Sequence, residues 1–202
     1  VYTLNHDEFR EDTRRARSVI EQALGHPVLG YRAPSFSITQ KSSWALEVLC
    51  EEGFLYDSSV FPVLHDIYGW PGAPRDPHVI ETPAGHMWEF PPATFQVFGR
   101  WTLPVAGGGY LRILPMAFTR FGLQQAASRN CPLLIYCHPW ELDPGQPRFP
   151  SSLRFRLRHY TGLRTMKKKL LKLLACYSFT SIEKYLSELE LDSGSNTTGG
   201  VY

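Results

Sequence analysis

The stretch "LLIYCHPWELDP", Leu133 to Pro144, carries an apolar run into a histidine. It then breaks at once into proline, tryptophan and two carboxylates. The run "PLLIYCHP" predicts a continuous strand buried on both faces, the kind found in the middle of a parallel sheet. His138 then stands at the C-terminal end of that strand. A histidine that only fills a core needs no such abrupt exit, whereas one held at the mouth of a pocket does. In parallel α/β sheets and barrels, sites form at the C-terminal ends of strands.

The front half supplies the partners such a strand needs. Asn5 caps a first helix, with Glu8 three residues on in the capping-box relation. Phe9, Ala16, Val19, Ile20, Ala23 and Leu24 make its apolar stripe, and Arg10, Arg14, Arg15 and Arg17 read as a solvated face. Gly25 ends it. "PVLGYRAPSF" reads as a short strand entering a loop at Pro34, and Thr39 caps a second helix that carries Trp44, Val48 and Leu49 and stops at Gly53. "FLYDSS" is the next strand. Alternating helix and strand predict parallel strands with crossover helices, as an open α/β sheet or a barrel.

Between Val60 and Arg112 the chain is rich in Pro and Gly. "HVIETPA" and "HMWEFPPA" predict a hairpin about Ala84-Gly85, and "PVAGGGYLRILP" predicts a long loop. Phe95, Phe98, Trp101 and Tyr110 argue against disorder there. Pro115 opens a third helix with Phe118, Phe121 and Ala126 inward. Leu163, Met166, Leu170, Leu173 and Leu174 mark an amphipathic helix whose lysines are a solvated face. "YSFTSIEKYLSEL" reads as a last strand and helix. One domain over residues 1–190 is expected, followed by a flexible polar tail over 191–202.

Composition excludes several classes. The chain has 202 residues, 43% of them hydrophobic and 20% charged, with a net charge of +2. That balance calls for no nucleic acid or anionic membrane as partner. No apolar run approaches the ~20 residues of a transmembrane helix. Cys50, Cys131, Cys137 and Cys176 include no C-x-x-C pair and read as small buried hydrophobes. Cys137 and His138 point to opposite faces of a strand, so they form no Cys–His pair.

Three polar groups fall at strand ends: Arg32, Asp57 with Ser58 and Ser59, and His138. Each has an ordinary structural explanation alone, as an ion pair, a cap or a satisfied core histidine. Three converging on one rim suggest a site. A Ser-His-Asp hydrolase from Ser35 or Ser58, His138 and Asp57 has no G-x-S-x-G elbow behind it. His65-Asp66 is a weak metal signal, with no H-x-x-x-H or H-E-x-x-H spacing.

"GYRAPSFSIT", "FLYDSSVFPVLHDIYGWPGAPRDP", "GGGYLRILP", "YCHPWELDPGQPR" and the later "RHYTGL" together resemble the polysaccharide deacetylase (NodB-homology) family. The resemblance is nearest to its branch associated with extracellular-polysaccharide and exosortase loci, and it spans residue 1 to about 190 in order. It implies a distorted seven-stranded (β/α) barrel and hydrolysis of N-acetyl groups on a polysaccharide, assisted by a divalent metal such as zinc. It implies that His138 is the acid that protonates the departing amine. It likewise implies that Arg32 orients the base and that the Ser35 N–H is an oxyanion donor. Glu89, or alternatively Asp57, is expected to be the carboxylate that tunes the histidine. Pro34, Phe36, Tyr110 and Trp140 are expected to wall the substrate groove.

The family's T-F-D-D and H-x-x-x-H motifs, which supply base and metal ligands, do not occur in the sequence. "VYTLNHDEF" resembles the segment just after the second histidine, and His6 reads as a surface residue. An incomplete barrel lacking its first strand or strands is therefore expected, with no metal ligands and no deacetylase activity in this chain alone. Unpaired strand edges are expected to leave it marginally stable. Two other functions fit the same residues: an amidohydrolase of this fold acting on a small cyclic amide or ureide, and a non-catalytic carbohydrate-binding remnant. A cytoplasmic or membrane-peripheral location is expected rather than a secreted one.

Overall fold

A computed structural model describes residues 1–98, 101–105 and 107–195. The chain divides into two compact units, Val1–Met166 and Lys167–Tyr202. It is a mixed α/β protein with a parallel sheet.

Helix α1 (His6–Leu24) begins as its caps dictate. The Asn5 side chain accepts from the Glu8 N–H, the Glu8 carboxylate accepts from the Asn5 N–H, and Gly25 ends the helix in the left-handed region. Its buried face differs from the expected one. Phe9 and Thr13 are buried, while Ala16, Val19, Ile20, Ala23 and Leu24 are exposed. The arginines instead face α2 (Trp44–Glu51): Arg10 pairs with Glu51 and Glu52, Arg14 with Glu52, and Arg17 donates to the Glu52 carbonyl. Satisfying the C-terminal carbonyl end of α2 with cations outweighed the periodic apolar signal.

Strands β1 (Gly30–Tyr31), β2 (Tyr56–Asp57), β3 (His78–Thr82) and β4 (Gly85–Glu89) form one sheet in the order β1-β2-β4-β3. β1, β2 and β4 are parallel, and β3 runs antiparallel to β4 through a turn at Pro83-Ala84. Phe9, Ile38, Ala45, Leu49, Phe54 and Met87 form the core between α1, α2 and this sheet.

A second hairpin pairs β5 (Thr94–Val97) with β6 (Trp101–Pro104), where no strand was expected. The glycine-rich stretch after it is not all loop, since α3 (Gly108–Ile113) starts inside it; Ala106 lies outside the described residues. α4 (Met116–Ala127) buries Thr119, Gly122, Leu123 and Ala126, but Phe121 is exposed. Phe95 is buried against Phe118, whereas Phe98 and Trp101 are exposed.

The segment Leu133–Cys137 is not the doubly buried strand its composition predicts. It joins its neighbours through single bridges, Pro92 to Leu134 and Gly107 to Tyr136, and all its residues are half-buried. The Leu134 and Tyr136 carbonyls accept from Ala93 and Gly108. Alternate carbonyls lie along one edge of an extended chain, so among the described residues only that edge is paired. Apolar content alone does not bury a strand that lacks a second neighbour.

Beyond it lie α5 (Leu153–Tyr160), α6 (Leu163–Cys176) and α7 (Ile182–Ser195). No strand precedes α7 at Tyr177–Thr180. α7 continues through Ser195, into the stretch expected to be tail, and residues 196–202 lie outside the described residues.

Candidate active site

The parallel register sets out one row across the sheet. Tyr31 is aligned with Asp57, and Asp57 with Glu89. Aligned residues of neighbouring strands share a face, so the two carboxylates are brought side by side at the C-terminal ends of β2 and β4. Both are fully buried. Asp57 accepts from the Ser59 N–H at 2.9 Å and from the Ser59 hydroxyl at 2.6 Å. Glu89 accepts the Val60 N–H on Oε1 at 3.1 Å, and its Oε2 accepts no hydrogen bond among the described residues. Burial pushes the Asp57 carboxyl up. Burial, then the Asp57 charge and the contact with it, push Glu89 well above the usual carboxylate range. The expected pairing of Glu89 or Asp57 with His138 is therefore replaced: the two meet each other, and neither hydrogen-bonds His138.

Arg32 follows β1 and reaches the residue after Asp57. Its Nε donates to the Ser58 carbonyl at 3.0 Å and its Nη2 to the Ser58 hydroxyl at 2.8 Å. Ser58 is fixed in turn by donating to the Phe90 carbonyl at 2.6 Å. The next residues turn sharply. Ser35 and Phe36 both hold positive φ, 55° and 50°. Two successive left-handed residues that are not glycine store strain, of the kind that collects at functional loops. Pro34 and Ser35 are exposed, and the Ser35 N–H makes no hydrogen bond among the described residues. Phe36 is not on a groove surface as expected; it is buried against Phe61 and Tyr136.

Tyr136 is the junction. The Arg32 guanidinium lies 5.8 Å from its ring centroid, and the His138 ring meets it edge-on at 5.9 Å. Gly107 and Gly108 cradle the same ring: a Cβ on Gly107 would stand 2.0 Å from it. Burial, and then the Glu141 charge, raise the Tyr136 phenol above its ordinary value, so it stays neutral.

His138 itself is exposed, but its backbone is clamped. Its N–H donates to Glu141 Oε2 at 2.9 Å, and its carbonyl accepts from the Glu141 N–H at 3.0 Å. Glu141 is fully buried and pairs through Oε1 with Arg112 Nε at 3.1 Å. Arg112 also donates to the carbonyls of Arg158, His159 and Thr161. The rings of His138, Trp140 and His159 stack in sequence, at 5.8 Å and then 4.3 Å. The Arg112 guanidinium lies 5.1 Å from the Trp140 ring, which is held between the two histidines and also lines a cavity. Tyr110, expected on the groove, is half-buried and lies near Tyr68. A cavity of about 220 Å³ opens among Gly108, Tyr136, His138, Trp140, Arg158 and His159.

Sequence reasoning missed Tyr136, Glu141, Arg112 and His159. Glu141 carried a usable signal, three residues after His138 in the spacing by which a side chain caps a helical turn. Arg112 carried none, since its partners lie far along the chain.

The described residues do not fit a divalent metal. No group of three or more His, Cys, Asp or Glu side chains converges among them. Asp57 and Glu89 are closed in by backbone and serine donors. His65 lies 3.0 Å from Asp66, but its other nitrogen is taken by Arg158.

The family described as "Domain of unknown function (DUF3473)" matches residues 58–187. No curated protein matches the chain. A crystal structure described as a "putative polysaccharide deacetylase from Mycobacterium smegmatis" aligns at 16% identity with a TM-score of 0.49, over 88% of this chain and 61% of its own. The chain thus spans about three-fifths of that protein's length. With more than half of its residues inside the match, the chain belongs to the DUF3473 family, a domain of unknown function.

Proposed function

We propose that this chain carries the arginine and the acid histidine of an enzyme that hydrolyses N-acetyl groups on a polysaccharide, built on an incomplete (β/α) barrel. One observation carries the reading. Arg32 and His138, from distant parts of the sequence, lie against the same ring, Tyr136. The DUF3473 match and the ordered motifs of the sequence support it.

An amide nitrogen is a poor leaving group until it gains a proton. His138, exposed beside the cavity and held through its backbone, is placed to give that proton. Arg32, fixed by Ser58, presents positive charge beside the same ring. The exposed Ser35 N–H is the donor for a developing oxyanion. The water-activating base and the zinc of the resemblance have no counterpart among the described residues.

The test is acetate release by the full-length protein from an N-acetylated oligosaccharide, assayed beside small cyclic amides and ureides. Release from the glycan alone is expected. Turnover of the cyclic amides instead moves the assignment to that chemistry, and saturable glycan binding without release on either substrate makes the chain a binding module.

A further inference from the structure

Two fully buried carboxyls side by side cannot both be ionised without large cost. Their surroundings say which one gives way. Asp57 is surrounded by donors: the Ser59 N–H and the Ser59 hydroxyl reach its two oxygens, as suits an anion. Glu89 has one donor, the Val60 N–H on Oε1, and a buried Oε2 that accepts nothing. A buried oxygen that accepts no bond, on a side chain in contact with a neighbouring carboxylate, is the expected position of a hydroxyl.

We propose that Glu89 is a neutral acid that donates from Oε2 to the Asp57 carboxylate, so that the two form a one-proton dyad with a single negative charge behind Arg32. The groups that face it agree. From the end of β1 comes the Arg32 guanidinium, whose charge acts on both carboxyls. Tyr31, Tyr56 and Tyr136 are the other titratable groups around, and Tyr31 and Tyr136 are held neutral by burial. One net anion thus faces one cation. Ser58, adjacent to Asp57, holds Arg32 through both its carbonyl and its hydroxyl. The dyad is therefore a positioning device for Arg32: a second charge on Glu89 changes the field at the guanidinium and the strand end that carries Ser58. The proposal holds whatever the substrate, so it stands or falls separately from the deacetylase reading.

The experiment is a pH titration of the full chain by NMR, with Glu Cδ and Asp Cγ carbons labelled and the Arg32 Nε–H followed alongside. One glutamate carbon is expected to keep its protonated position at neutral pH and to titrate on the alkaline side. That signal is absent in Glu89→Gln, which supplies an isosteric donor to Asp57 and folds. The Arg32 Nε–H is expected to shift with the same midpoint, a link that simple packing of Glu89 would not produce. The proposal is overturned if every glutamate carbon titrates near the ordinary value of about 4.3. It is also overturned if the Arg32 signal ignores the late step, or if Glu89→Gln unfolds the chain.

Discussion

Arg112 of α3 and Glu141 of the turn after His138 form an ion pair sealed from solvent, with Nε and Oε1 3.1 Å apart and exposures of 2% and 0%. The pair joins α3, the His138 backbone and the carbonyls at the end of α5. Removing one partner strands the other charge in the interior. Arg112→Met is expected to cost about 3–5 kcal/mol in urea unfolding. Arg112→Met combined with Glu141→Met is expected to recover a large part, because no charge is then left unpaired. A single variant as stable as the parent would show that the pair does not hold this region.

The Tyr136 ring occupies the space above Gly107. At φ 152°, with a Cβ placed 2.0 Å from Tyr136, Gly107→Ala must displace the ring that Arg32 and His138 share. A loss of roughly 2 kcal/mol in thermal or chemical unfolding is expected. Gly145→Ala, in an exposed loop, serves as control.

The reversed face of α1 gives a direct comparison. Arg17 donates to the Glu52 carbonyl and lies 4.9 Å from the Phe54 ring centroid. Arg17→Ala is expected to cost about 1–2 kcal/mol. Val19→Ala, on the exposed apolar side, is expected to change stability by less than about 0.5 kcal/mol. Urea midpoints in the opposite order would restore the face that periodicity predicts.

Glu89 makes stability depend on pH. Its folded-state affinity for the proton is raised above that of the unfolded chain, by burial first and by Asp57 second. The folded form therefore binds more protons than the unfolded form above the ordinary carboxylate range. The contribution is fully present below that range and is lost as pH rises through the folded value. Unfolding midpoints measured over this range are expected to fall for the parent and to stay flat for Glu89→Gln.

The elements with local signals were legible. Asn5, Glu8 and Gly25 bound α1 where the sequence places it, Arg32 and Asp57 stand at strand ends as the alternating helix–strand pattern implies, and Glu89 ends the hairpin strand read from "HMWEFPPA". The pairing of Asp57 with Glu89 was not legible, because register across two strands depends on the intervening crossover. The run before His138 misled for the same reason. Its apolar composition states that it can be buried, and only its neighbours decide whether it is. The arginines of α1 read as solvated until the position of Glu51 and Glu52 was known.

The most direct measurement of the central claim is the effect of His138→Ala on acetate release from an N-acetylated polysaccharide by the full-length protein, with its melting temperature followed in parallel. His138 is exposed, and its hold on the fold runs through the backbone, which alanine keeps. Turnover is expected to fall by about 10²–10⁴-fold, the usual contribution of a positioned general acid, with the melting temperature unchanged. Unchanged turnover would contradict it.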